Sequence, residues 1–302
     1  MCRAKTLKGP YEISPYNPVI TSSDDNKLFL KRAGHGQIVD TPDGDWYMAY
    51  LCARTVDGCS VVGRETAIQK LIYTDDGWFR AEHGHRPEEY LEIPSAKKAV
   101  KCTEKINLCN DSLPLSYMTL RSGREKLGIN NYADGLHIKG GNSLSSRYHV
   151  ALSARRVTDL KACYTATMRF NPTDYRHMAG IVCYYNCDNY DFLYLTVNDN
   201  GKKILQVLES KNGELWQSDG IDINNSEDLT LKIQLTEREL YFYYWQGDTK
   251  DNPVCKPVSR LHLSDESVTG NGFTGEMVGI ACQDLLGDGC EAIFTEVCYY
   301  QY

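Results

Sequence analysis

Leu229, Leu231, Ile233 and Leu235 alternate with Thr230, Lys232 and Gln234, so apolar side chains recur at every second residue. A period of two places all four on one face of an extended strand, whereas a helix would scatter them around its axis. Residues 236–239 leave room only for a tight connection, and the run Leu240-Tyr241-Phe242-Tyr243-Tyr244-Trp245 is predicted to return as the neighbouring strand. Further strands are predicted over 163–170, 179–185, 190–197, 203–208, 278–282 and 292–300, with Asn198-Asp199-Asn200-Gly201 as a hairpin turn. Amphipathic helical patterning is almost absent. This region is therefore expected to form a sandwich of two antiparallel sheets.

The N-terminal region is also predicted to be all-β, but built differently. Gln37-Ile38-Val39-Asp40, the turn Thr41-Pro42-Asp43-Gly44-Asp45 and the strand 46–51 make a hairpin. A further strand over 67–73 meets the turn Thr74-Asp75-Asp76-Gly77 and resumes at Trp78-Phe79. Short antiparallel hairpins with aromatic markers suit the blades of a propeller. Between the two regions, residues 88–101 carry Pro94 and a small, charged run and are expected to be a linker, giving domains at 1–95 and 96–302.

A chain of 302 residues with 42% hydrophobic residues has enough apolar surface for two cores. Its net charge of -7 provides no basic footprint for a nucleic-acid backbone. No apolar run approaches the ~20 residues that span a bilayer, and no apolar stretch follows Met1-Cys2-Arg3-Ala4-Lys5, so a cytoplasmic protein with no membrane partner is expected. The twelve cysteines include close pairs at 52/59, 102/109, 183/187 and 282/290, whose spacings match no zinc knuckle or redox motif. They are expected to be reduced, mostly buried thiols acting as small hydrophobes.

Arg3-Ala4-Lys5, Gly9-Pro10-Tyr11-Glu12, Asn17-Pro18-Val19, Gly34-His35-Gly36, Trp46-Tyr47 and the run Gly63-Arg64-Glu65-Thr66-Ala67-Ile68-Gln69-Lys70 follow one another in a recognisable order. Together they resemble the last part of the catalytic domain of glycoside hydrolase family 43, above all its β-xylosidases. Downstream, Tyr117-Met118-Thr119-Leu120-Arg121, the stretch Ala179-Gly180-Ile181-Val182-Cys183-Tyr184-Tyr185-Asn186 and Gly272-Phe273-Thr274-Gly275 through Cys282-Gln283-Asp284 resemble that group's concanavalin-like C-terminal sandwich. The resemblance implies an all-β chain: a partial five-bladed β-propeller, last blades only, followed by a concanavalin-like antiparallel β-sandwich. It also implies inverting hydrolysis of xylo-oligosaccharides or arabinofuranosides in the full-length family. Inversion requires two carboxyl groups about 6.5–9.5 Å apart, one protonating the leaving oxygen and one activating water. In the family, these and a third, tuning aspartate lie on blades earlier than any matched here, so no catalytic residue is assigned to this chain.

Three residues are expected to bind substrate. Arg64 matches an arginine that in the family reaches the sugar and the catalytic carboxylates, a task suited to its fixed fork of donors. His35 matches a histidine near the propeller axis, which in some relatives lies beside a divalent ion such as calcium. A structural hydrogen-bonding role is the competing reading, since no other oxygen ligands are evident, and no metal ligand or cofactor is assigned. Phe273 matches a sandwich loop that closes the sugar pocket, with a core aromatic at a strand end as the alternative. Asp40, Asp43, Asp45, Asp75 and Asp76 read as turn residues. Glu65 adjoins Arg64, yet no family motif makes it an acid or base.

A propeller lacking its first blades has unpaired edges, so residues 1–95 are expected to be the less stable, partner-seeking part, and the chain alone to be inactive. An upstream chain carrying the other blades is one expected partner, and a homo-oligomer is allowed. The competing function is a non-catalytic carbohydrate-binding or structural module, with Tyr184, Tyr185 and Trp245 as stacking faces or as core.

Overall fold

A computed structural model describes residues 1–302 except 94–95, 98–99, 225–227, 248–250 and 271. The chain divides into two compact units, 1–99 and 100–302. Within the described residues, regular structure is strand throughout apart from one 3-10 turn at Glu125–Leu127.

In the first unit, β1 (Cys2–Arg3) and β2 (Glu12–Ile13) form a two-stranded ribbon. β3 (Leu30–Asp40), β4 (Trp46–Arg54), β5 (Glu65–Tyr73) and β6 (Phe79–Ala81) form a four-stranded antiparallel sheet in chain order, the meander of one propeller blade. The turns contain the expected aspartates. Thr41 accepts the Gly44 N–H and donates to Asp45 through its own backbone, and Thr74 pairs in the same way with Gly77 and Trp78. Met48, Tyr50 and Cys52 of β4, Leu71 of β5 and Ala81 of β6 pack with Ile20 and Leu30 as this unit's core. Arg3 ties the ribbon to the sheet: it pairs with Glu12, donates to the carbonyls of Asp76 and Gly77, and lies 4.0 Å above the Trp78 ring.

The second unit comprises β7 (Thr103–Asn107), β8 (Ile129–Tyr132), β9 (Gly135–Lys139), β10 (Ala151–Arg156), β11 (Ala162–Phe170), β12 (His177–Asn186), β13 (Asn189–Val197) and β14 (Lys203–Lys211), then β15 (Glu214–Gln217), β16 (Ile221–Asp222), β17 (Leu229–Leu235), β18 (Glu239–Trp245), β19 (Asn252–Pro253), β20 (Val258–Ser259), β21 (Met277–Asp284) and β22 (Glu291–Gln301). One sheet runs β10-β21-β12-β13-β14-β15, with β16 against β14. The other runs β19-β18-β17-β11-β22-β9-β8, with β20 on β18 and β7 on β22. β17 alternates strictly between buried and half-buried residues, as its sequence requires, and pairs with β18 from Leu235 opposite Leu240 to Thr230 opposite Trp245.

Sequence periodicity missed β7 to β10 because their apolar residues do not alternate over a long enough stretch. β13 is buried at all nine positions, so both faces of its sheet are covered there. On one face Tyr184, Tyr190, Phe192 and Tyr194 pack beneath Leu144 and Val150. The tight sheet explains the glycine in the Ala179-Gly180 motif: a Cβ on Gly180 would lie 2.0 Å from the Leu193 carbonyl oxygen. All twelve cysteines are unpaired. The expectation that most are buried needs correction, since only Cys52, Cys163, Cys183 and Cys282 are buried, while Cys2 is exposed and the others are half-buried.

Candidate functional site

His35 owes its position to two successive bulges in β3. Lys31 pairs with Ala53, Gly34 with Leu51 and Gln37 with Ala49, so β3 twice spends three residues where β4 spends two. Arg32 (φ 56°) and His35 (φ 52°) take the left-handed conformation inside these bulges. A non-glycine residue there costs on the order of 1–3 kcal/mol, which the surrounding sheet must over-determine. Bulges re-aim side chains out of strand alternation, and this one leaves His35 exposed at the edge of a cleft of about 630 Å³. Gly36 lets β3 come close to β4: a Cβ there would lie 2.6 Å from the Met48 sulfur.

Asn17, Pro18, Val19, Ile38 and Met48 complete the walls of this cleft, and among the described residues no carboxylate lines it. Its one side-chain carbonyl oxygen belongs to Asn17. Calcium takes six to eight oxygen ligands, so the described residues around His35 do not by themselves fit that ion.

Arg64 is half-buried in the turn that enters β5, immediately after Gly63 (φ 73°). Gly34 pairs with Leu51, and Leu51 with Thr66. The register thus brings the β3 bulge and the start of β5 to the same end of the sheet, two strand spacings or about 10 Å apart. His35 and Arg64 consequently share one end of the blade.

The rest of the Gly63–Gln69 motif is structural. Glu65 receives a forked pair of hydrogen bonds from Arg54, with Nη2 to Oε1 at 2.9 Å and Nε to Oε2 at 3.0 Å, and also accepts the Arg54 backbone N–H. The fork leaves both carboxylate oxygens engaged by Arg54. Gln69 is buried and exchanges two hydrogen bonds with Glu88, donating Nε2 to Oε1 at 2.6 Å and accepting the Glu88 backbone N–H at 3.1 Å. Residue 88, expected at the start of the linker, is thereby pinned to the sheet. A second cleft of about 340 Å³ lies beside these residues, lined by Cys52, Arg54, Glu65, Glu88 and Ile68 among others. Burial, with the Glu65 carboxylate nearby, pushes the Cys52 thiol up to about 11 and keeps it protonated and unreactive at neutral pH.

In the second unit, Phe273 is 61% exposed, so its reading as a core aromatic gives way to that of a loop residue. Its loop sits on a tight platform: a Cβ on Gly272 would fall 2.4 Å from the Tyr185 hydroxyl, which donates to Asp265 at 2.8 Å. Tyr184 and Tyr185 are buried, and Trp245 is half-buried. The two tyrosines are core rather than stacking faces.

Comparison with known proteins decides the family. Residues 107–300 match the beta xylosidase C-terminal concanavalin A-like domain, and residues 1–79 match glycosyl hydrolases family 43. The chain belongs to glycoside hydrolase family 43, β-xylosidase type. It is 33% identical to xylosidase/arabinosidase 43B of Humicola insolens over 98% of this chain and 58% of that protein. It is 30% identical to xylan 1,3-beta-xylosidase of a Vibrio species over 100% of this chain and 59% of that protein. Among solved structures, xylan beta-1,4-xylosidase from Bacillus halodurans superposes with a TM-score of 0.89 at 31% identity, covering 99% of this chain and 59% of that one. The chain thus spans somewhat under two thirds of the length of these relatives. The fold is that of the family: propeller strands followed by a concanavalin-like β-sandwich.

Proposed function

We propose that this stretch forms one wall of a β-xylosidase or α-L-arabinofuranosidase sugar site, and that it does not cleave glycosides by itself. The observation that carries this reading is the make-up of the His35 cleft: a bulge-held imidazole and apolar walls, with no carboxylate among the described residues. An inverting glycosidase needs two carboxyl groups facing the scissile bond. The acidic residues closest to the motif are otherwise engaged, Glu65 with Arg54 and Glu88 with Gln69. The names of the Humicola, Vibrio and Bacillus relatives point to xylosides or arabinosides as the substrate class.

In this reading, Arg64 hydrogen-bonds vicinal hydroxyls, His35 orients the sugar, and exposed Phe273 of the second unit offers an aromatic face for substrate. The acid and base come from propeller strands outside these 302 residues, on the same polypeptide or an associated one. The test is hydrolysis of an aryl xyloside and an aryl arabinofuranoside by the chain alone and after co-expression with a segment carrying the earlier blades. The expected result is no turnover alone, turnover with the added segment, and at least a tenfold loss of that activity in Arg64→Ala. Turnover by the chain alone that Arg64→Ala abolishes would place the carboxylates within it and refute the proposal.

The module reading finds less support, because Leu144 and Val150 cover the sheet face on which Tyr184 and Tyr190 lie.

A further inference from the structure

The interior of the sandwich holds a charge cluster that the glycosidase reading does not use. Asp191 lies on β13 with no exposed surface, flanked in register by Cys183 of β12 and Glu209 of β14. His262, 3% exposed, follows β20 and turns its Nε2 toward Asp191 Oδ2 at 3.1 Å. Its other nitrogen, Nδ1, sits 2.8 Å from the Ser259 carbonyl oxygen. A carbonyl only accepts, so Nδ1 carries the proton and Nε2 is the atom aimed into the cluster. Among the described residues, both Asp191 oxygens and His262 Nε2 lack a properly directed hydrogen bond despite their closeness. One ligand atom from each of Asp191, Glu209 and His262 lies within 4.8 Å of the others; Asp191 faces Nε2, and Glu209 Oε1 lies 4.0 Å from Nδ1, so Glu209 must swing toward Nε2 to share an ion with it.

We propose that Asp191, Glu209 and His262 form an internal binding site for a divalent transition-metal ion of the zinc type. Four observations converge on this. Two carboxylates against one imidazole leave excess negative charge at a mostly buried site, where a charge without compensation is costly. The donor set of one imidazole and two carboxylates suits zinc, whereas calcium and magnesium favour oxygen alone. The histidine is also held as metal-ligating histidines are, with its second N–H on a backbone carbonyl. The Nε2 to Oδ2 separation fits as well, since zinc bonds of ~2.0 Å at tetrahedral angles put neighbouring ligand atoms about 3.3 Å apart.

Half-buried Glu209, with 20% of its side chain exposed, offers the ion a way in.

A second cluster, His177, Asp284 and Cys290, is a weaker candidate. The Asp284 carboxylate already accepts the backbone N–H groups of Leu286, Gly287, Gly289 and Cys290. Its oxygens shape the loop that follows.

The site lies wholly within the sandwich and stands or falls independently of the glycosidase reading. The experiment uses the untagged chain, stripped with a chelator and reloaded with zinc, with metal content measured after desalting and affinity by titration. One equivalent of zinc is expected, with affinity reduced at least tenfold in His262→Gln and in Glu209→Gln and unchanged in His177→Gln. Cobalt in place of zinc should give four-coordinate visible bands without a thiolate charge-transfer band, which separates this site from the cysteines. Glu209 is half-buried, so Glu209→Gln keeps the test decisive if His262→Gln misfolds. Absence of tight zinc binding would leave Asp191 and His262 as a simple ion pair and overturn the proposal. So would binding that survives Glu209→Gln, or binding lost in His177→Gln.

Discussion

Glu276→Gln is the substitution whose consequence the structure specifies most fully. Arg260 and Glu276 are both completely buried, and Arg260 Nε donates to Glu276 Oε2 at 2.6 Å. Arg260 Nη1 also donates to the carbonyls of Leu160 and Thr236 at 2.7 and 2.6 Å, linking three loops. Glutamine keeps the shape but removes the charge, stranding a guanidinium that cannot deprotonate. Breaking one side of a buried pair costs about 3–5 kcal/mol, or roughly two to four powers of ten in the folding constant. For a unit of ~200 residues, that corresponds to a fall in melting temperature of roughly 10 °C. Arg260→Met should cost as much or more, because it also leaves the two carbonyls without their donor, at about 1–3 kcal/mol for each buried unsatisfied group.

The double variant Arg260→Met/Glu276→Leu separates the pair energy from these side effects. It loses the carbonyl contacts but strands no charge, so it should cost at least 2 kcal/mol less than the sum of the two singles. Urea denaturation followed by circular dichroism measures all three. The reasoning fails if Glu276→Gln costs under about 1 kcal/mol, or if the double variant equals the sum of the singles within ~0.5 kcal/mol.

Glu65→Gln should lower stability by a smaller amount, about 1–2 kcal/mol, because its partner Arg54 is a quarter exposed and solvent screens the stranded charge; chemical denaturation of the first unit would show it. His137 lies between Asp134 and Glu291, 2.9 and 2.8 Å away. Burial draws its pKa down, but the hydrogen bonds to Asp134 and Glu291 outweigh burial and leave it raised. The stability it contributes should therefore be complete below its unfolded pKa near 6.5 and vanish as pH rises through the higher folded value. Asp134 is lowered, chiefly by its hydrogen bond to His137, so its contribution should vanish as pH falls through its folded pKa, below the model-peptide value. Imidazole NMR titration of the wild type should give a midpoint above 6.5 that drops in Glu291→Gln; an unchanged midpoint would remove the carboxylate as its cause.

The residues themselves determined the strands and the family. The alternation over 229–235 appears unaltered as β17, and the turns at 41–45 and 74–77 close the hairpins expected of them. Both signals are local: a strand face and a tight turn are set by residues a few positions apart. The order of short motifs from Arg3 to Asp284 was likewise readable without coordinates, and it pointed to the family that the comparisons establish.

Tertiary structure decided what each of those residues does. Phe273 reads from sequence as either a loop or a core residue and is exposed in the fold, and no local pattern shows that Leu144 and Val150 cover the tyrosine face. His35 was a candidate from its motif, but the double bulge that turns it outward emerges only from pairing β3 with β4. Asp191, Glu209 and His262 carried no motif, and Arg260 and Glu276 lie 16 positions apart. These groups meet because strand register and chain reversal place residues tens of positions apart within a few ångströms, in an interior where every unbalanced charge must find a partner. Periodicity along the chain contains no record of that meeting.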